Sequence, residues 1–305
     1  MQALKHHSPF RGIIFMVIAA FCFSSMGAAA KMLKGSFTAG QLVFYRNIVG
    51  LIFLAASFLM RPPKSVGGKM GWLVFRGFMG TVAVYTLLFC VLHMPLGTAM
   101  TYNLTSAIFI ALFSYLLFGE FHGPLVLAAL VIGFTGMIFV YKPSMHLPGA
   151  WHLAGLISGI TSAIAYMTVG RLARYYDPRI IVAAFIVTGV ALPLLSLCVQ
   201  AFTGLPADGL FLITGKLPAG MEWVWVLLLG LFALAGQYFV TRAYGSDKAA
   251  VVSAVSYANI VFSVCFGYAL GDGFPDPLSL TGILLIIGSG VMISLYRSRP
   301  ALEKA

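Results

Sequence analysis

The chain has 305 residues, of which 60% are hydrophobic and 9% charged, and its mean hydropathy is +0.97; no water-soluble fold of this length hides so much apolar surface in one core, so a soluble enzyme is excluded. Roughly 20 apolar residues cross about 30 Å of hydrocarbon, so there is material for about ten crossings and little chain left for domains outside. The 19 Lys and Arg against 8 Asp and Glu, a net charge of +11, sit at the ends of apolar runs and form no aromatic-interleaved cluster of the kind that tracks a phosphate backbone. The basic excess is therefore a topology signal, and no nucleic-acid partner is expected.

Apolar runs bounded by Pro, Gly and charge predict helices near 12–30, 39–59, 71–92, 97–118, 124–141, 150–170, 179–200, 222–241, 249–270 and 278–296. The first run continues into a Ser/Gly/Ala stretch and Lys31 with no persuasive cleavage site, so it reads as a retained helix and not a signal peptide. Ten spans put both termini on one face. That face then carries fourteen Lys and Arg, including Lys5, Arg61, Arg76, Arg171, Arg174, Arg179, Arg242 and Lys248, against four on the other, Lys31, Lys34, Lys142 and Lys216. The positive-inside rule makes the richer face cytoplasmic, with 1–10 and 297–305 as cytoplasmic tails. Cys22, Cys90, Cys198 and Cys265 fall inside apolar runs and read as small hydrophobes, not as disulfides or a metal site. Neither a metal nor a cofactor is expected.

The chain repeats itself. Gly119-Glu120 and Gly271-Asp272 are 152 residues apart, each ending one span just before a proline-led helix, and the same offset pairs Tyr85 with Gln237. Two copies of an odd, five-helix unit must enter the membrane in opposite orientations, which is the inverted-repeat plan of secondary transporters. The expected fold is an all-α integral membrane protein of ten transmembrane helices, with repeats at 11–142 and 150–296.

Phe44-Tyr45-Arg46-Asn47 in the second span, Arg76-Gly77 opening the third, Leu116 to Glu120 with the following Pro124, and the Phe274-Pro275-Asp276 turn resemble the EamA-type branch of the drug/metabolite transporter superfamily. Within that branch the chain looks most like the S-adenosylmethionine-uptake type. The resemblance implies a central cavity between the halves and alternating access in a bacterial inner membrane.

Arg46 stands out as an ionisable side chain well inside a span, about 12 Å deep at 1.5 Å per residue. Its burial costs ~2.5 kcal/mol or more. It is either the anchor of a substrate carboxylate or phosphate, through the guanidinium fork, or an internal strut bonded to Asn47, a tyrosine or backbone carbonyls. Glu120 and Asp272 stand where carboxylates stabilise the N-termini of following helices and read as structural or gate-rim groups. Arg76 reads as a cytoplasmic partner for Glu120, and Pro193 as a kink in the seventh span. No Asp or Glu is left for the bilayer interior, so an uncoupled carrier or exchanger is favoured over an acid-coupled pump.

A polar and aromatic set remains for the cavity: Ser24, Tyr85, Tyr102 with Thr105, Ser162, Tyr166, Gln237, Tyr238, and Ser253, Ser256, Tyr257 and Asn259. Such a lining suits a small zwitterion or amine, although each member alone could merely bridge helices. Glycines such as Gly133, Gly136, Gly288 and Gly290 are expected to let the fifth and tenth spans approach closely. The expected function is transport of a small organic metabolite, an amino acid or related compound, by a monomer or homodimer embedded in membrane lipids. A lipid or lipid-carrier flippase is the alternative. An intramembrane enzyme or a channel finds no supporting motif.

Overall fold

In the computed structural model the described residues are 10–63, 66–118, 124–141, 149–203, 216–246, 252 and 255–298. They form α1 (Phe10–Met32), α2 (Ala39–Met60), α3 (Met70–His93), α4 (Leu96–Leu104), α5 (Ser106–Phe118), α6 (Pro124–Tyr141), α7 (Gly149–Leu172), α8 (Pro178–Thr203), α9 (Glu222–Ser246), α10 (Ala258–Ala269) and α11 (Pro277–Ser298). Glu120, Ser253, Lys142, Lys248 and the tails at 1–9 and 299–305 lie outside the described residues. Among the described residues, six helices are long and apolar enough to cross a membrane: α1, α2, α3, α7, α8 and α9.

Local signals set the helix ends. Thr38 caps α2 in a reciprocal box, its Oγ1 accepting from the Gln41 amide at 3.3 Å while the Thr38 amide donates to Gln41 Oε1 at 2.9 Å. Asp276 caps α11, accepting from Leu278 N at 3.2 Å and from Ser279 Oγ at 2.6 Å. Pro193 lies inside α8, which runs on past it to Thr203.

The fourth span differs from expectation in one respect. Instead of a single helix over 97–118 it is α4 followed by α5, meeting at Thr105, whose amide donates to both Thr101 O and Tyr102 O at 3.2 Å. The Thr105 hydroxyl also donates to Tyr102 O at 2.7 Å, a local side-chain bond that competes with the regular ladder and tightens the turn. The ninth span has its own tight turn at Tyr257, where Asn259 N bonds Ser256 O at 3.0 Å and Ile260 N bonds Tyr257 O at 3.0 Å. Thr105 and Tyr257 are again 152 residues apart.

Packing follows the repeat. Helix α1 lies along α9 while α7, its counterpart in the second half, lies along α3, the counterpart of α9; α2 meets its own counterpart α8, and α6 meets α11. Pairs that exchange or return to themselves in this way are what a two-fold axis between two five-helix repeats produces. At the α6–α11 seam a Cβ on Gly136 would stand 2.7 Å from Gly282 O, so glycine is needed for the close approach. Gly288 faces open space instead, and the expectation that it serves the same seam does not hold.

Candidate functional site

The helices α1, α2, α3, α4, α5, α7, α9 and α10 enclose a central cavity at whose wall Arg46, Arg76, Tyr166, Gln237 and Tyr244 meet. Its free volume is about 50 Å³, room for a few waters at about 10–15 Å³ each and below the 300–1,000 Å³ or so of a ligand site.

Two fully buried arginines dominate it. Arg46, on α2, and Arg76, on α3, are 2% and 1% exposed, and each guanidinium carbon lies 5.0 Å from the centroid of the Phe185 ring on α8. The two charges are thus within about 10 Å of one another. At an effective dielectric of about 20 they repel by at least ~1.7 kcal/mol. Arg46 Nη1 donates to Asn47 Oδ1 at 3.1 Å, and Arg76 Nη2 to Gln237 Oε1 at 3.2 Å. Arg46 Nε, Arg76 Nε and Arg76 Nη1 have no hydrogen-bond partner, and no carboxylate among the described residues pairs with either cation.

The burial of Arg76 corrects the reading of it as a group on the cytoplasmic face. Helix α3 begins at Met70, so Arg76 stands about 9 Å along it, and its side chain turns into the bundle. The cavity face of α3 is Arg76, Gly80, Ala83, Val84 and Leu87, one stripe at helical spacing. The signal was present in the sequence: a span drawn from 71 already placed Arg76 inside it.

The same stripe explains why Tyr85 is not at the cavity. It points to another face of α3 and is buried in the apolar core. Tyr102 does not line the cavity either: its hydroxyl bonds His152 Nδ1 and its ring fills the notch left by Gly155 on α7. Thr105 is committed to the α4–α5 turn. Tyr257 packs with Leu104, Ala107, Ile260, Ile283 and Ile286. Of the residues expected at the cavity the structure brings Arg46, Ser162, Tyr166, Gln237, Ser256 and Asn259 to it.

Several polar groups there are occupied in holding helices together. Asn259 Nδ2 donates to Ala20 O at 2.8 Å and its Oδ1 accepts from Ser263 Oγ at 3.2 Å, while Ser24 Oγ donates to Asn259 O at 3.0 Å; these bonds tie α1 to α10. Asn103, not singled out from the sequence, lines the cavity and donates to Ser158 Oγ at 3.1 Å and to Ser162 Oγ at 2.8 Å. An Asn four residues after Ala99 on the buried face of an apolar span was the signal for it. Tyr244, also missed, stacks on Tyr166 with ring centroids 4.9 Å apart at 17°.

One end of the bundle is fastened. Asp272, in the turn between α10 and α11, pairs with Lys31 in the last turn of α1 and accepts from Leu96 N, the first residue of α4, at 2.8 Å. Lys31 is five residues beyond Met26, which lines the cavity, so this three-way contact sits about 7.5 Å past it. Asp272→Ala is expected to lower stability by about 1.5–3 kcal/mol, the worth of a hydrogen bond to a charged group. Thermal unfolding of Asp272→Ala, Lys31→Ala and the double variant would check it; the double should fall little below the Asp272→Ala variant, and full additivity would refute the contact.

The EamA-like transporter family matches residues 10–142 and again 149–295. An uncharacterized transporter of Helicobacter pylori is 32% identical over 298 residues, covering 96% of both chains. A pseudopaline exporter of Pseudomonas aeruginosa is 29% identical over 288 residues, covering 93% of this chain and 95% of its own. A solved crystal structure that is 19% identical shares the fold with a TM-score of 0.68, over 93% of this chain and 96% of that one. Two family matches that together span nearly the whole chain, on a fold of two five-helix repeats around one cavity, establish that this protein belongs to the EamA-like transporter family and is a multi-pass membrane transporter of small molecules.

Proposed function

We propose that the chain carries a small organic solute bearing at least one carboxylate, an amino acid or a related metabolite, by alternating access through the central cavity. The observation that carries this reading is the pair of fully buried guanidiniums with unpaired N–H groups in one cavity. Two uncompensated cations in low dielectric are costly, and an anionic group between them relieves the repulsion and takes up the free donors in bidentate fashion. Arg46 and Arg76 are the anchors. Gln237 orients Arg76, and the stacked Tyr166 and Tyr244 offer an aromatic wall to the solute's apolar part.

The relative that exports pseudopaline supports a small organic metabolite as cargo. The S-adenosylmethionine resemblance fits the same chemistry, because that zwitterion also presents a carboxylate. We place the protein in the plasma membrane with both termini in the cytoplasm, a reading supported by the excess of Lys and Arg at one end of the bundle. In that orientation the Lys31–Asp272–Leu96 contact closes the outer side. Reconstituted vesicles loaded with radiolabelled amino acids, dicarboxylates or S-adenosylmethionine test the proposal directly. Counterflow of carboxylate solutes is expected, and flux confined to solutes that lack a carboxylate would refute it.

A further inference from the structure

A second opening lies away from the central cavity. Between α2, α8 and α9 a cleft of about 750 Å³ is lined by Arg61, Arg179, Arg242, Tyr238, Phe53 and Leu231. At depth it closes on the contact of α2 with α9, where a Cβ on Gly230 would collide with Val49. From that crossing the cleft runs toward the end of the bundle bearing Arg61 and Arg242, where Arg179 of α8 reaches across to Ser57 and Arg61 O of the first half. Because α2 belongs to the first repeat and α8 and α9 to the second, the cleft is a wedge between the halves.

Its chemistry is graded along its length. Phe53 lies eight residues before Arg61 and Leu231 eleven before Arg242, so the apolar wall extends about 12–16 Å below the charges. Arg179 is fully engaged, donating to Asp177, to Ser57 and, at 2.7 Å, to Arg61 O. Arg61 and Arg242 have no carboxylate partner among the described residues, and both are exposed. Arg242 is held in place over the Phe15 ring at 4.7 Å and by a bond from Nη1 to the Tyr238 hydroxyl at 3.2 Å, which leaves its other N–H donors for a ligand. Two uncompensated cations at the mouth and an apolar slot about one acyl chain deep are complementary to one kind of molecule present around any membrane helix.

We propose that this cleft binds an anionic phospholipid, its phosphate on Arg61 and Arg242 and an acyl chain along Phe53 and Leu231, and that the lipid bridges the two halves at this end. Basic pockets between transmembrane helices hold acidic head groups in this way. Such a lipid binds only the fold that brings Arg61 and Arg242 to one mouth, and so raises its stability. The site is separate from the arginine pair of the central cavity, so it stands or falls independently of the substrate.

The test is a thermal-shift titration of the purified full-length protein in neutral detergent with phosphatidylglycerol, phosphatidylcholine or inorganic phosphate. Phosphatidylglycerol is expected to raise the apparent Tm at concentrations where phosphatidylcholine and phosphate do not. The Arg61→Gln/Arg242→Gln double variant is expected to need at least tenfold more of it, while Arg174→Gln, at the same end but outside the cleft, leaves the response unchanged. Equal stabilisation by phosphatidylcholine would overturn the proposal, as would full stabilisation by phosphate alone. So would an unaltered response in the double variant, or an equal loss in Arg174→Gln.

Discussion

Arg46→Gln and Arg76→Gln are each expected to reduce binding and flux of a carboxylate solute by roughly 10- to 100-fold, since a hydrogen bond to a charged group contributes about 1.5–3 kcal/mol. Neither change should lower stability. A buried ion pair broken on one side leaves an orphaned charge and is strongly destabilising, but no carboxylate among the described residues faces Arg46 or Arg76. What each replacement removes is a desolvated cation repelled by its neighbour, at the cost of one bond, to Asn47 or to Gln237. Tm should therefore hold or rise while transport falls. A structural strut would show the reverse, lost folded protein in step with lost flux, so measuring both quantities on the same preparations separates anchor from strut.

The second large effect concerns folding. At Gly159 on α7 an added Cβ would collide with Thr105 Oγ1 and stand 2.9 Å from the Tyr102 carbonyl oxygen. Both atoms belong to the tight turn that joins α4 to α5, and the carbonyl cannot rotate away as a flexible side chain would. Overpacking of a well-packed interior costs about 1–3 kcal/mol, and a branched side chain at this crossing adds further clashes. Gly159→Ala is expected to lower Tm measurably, and Gly159→Leu to leave little monodisperse protein in size-exclusion chromatography. Normal yield and Tm for Gly159→Leu would mean that α7 does not press on this turn.

The architecture was legible in the sequence because a bilayer imposes a length on each helix and leaves few choices of connection. Runs of apolar residues near 20 long, and an offset of 152 residues shared by Glu120 with Asp272 and by Tyr85 with Gln237, lead to two five-helix repeats without reference to any side-chain contact. The break at Thr105 was hidden, since Thr is common within membrane helices and only the bond to Tyr102 O shows that this one tightens the chain.

The site was legible in part. Arg46 is conspicuous because, Asn47 apart, the residues around it from Leu42 to Phe53 are apolar or aromatic. Arg76 lies near the start of its run, where a basic residue ordinarily faces the head groups, and only the direction of its side chain shows that it turns inward. For the tyrosines, composition gave no directional information. Tyr85 and Tyr102 are as aromatic and polar as Tyr166, yet the helical phase sends Tyr85 into the core and the notch at Gly155 draws Tyr102 toward α7. Asn259 lines the cavity, and its amide is bonded to Ala20 O and Ser263.

The central claim is that the buried arginine pair holds a substrate carboxylate. Its most direct test is ligand-induced stabilisation measured with matched pairs, each amino acid or dicarboxylate against its amide, on the wild-type protein and the Arg46→Gln/Arg76→Gln double variant. Stabilisation of the wild type by an acid, absent with its amide and lost in the double variant, is the result expected. An acid and its amide that stabilise wild type and variant alike would show that the two arginines do not bind the solute.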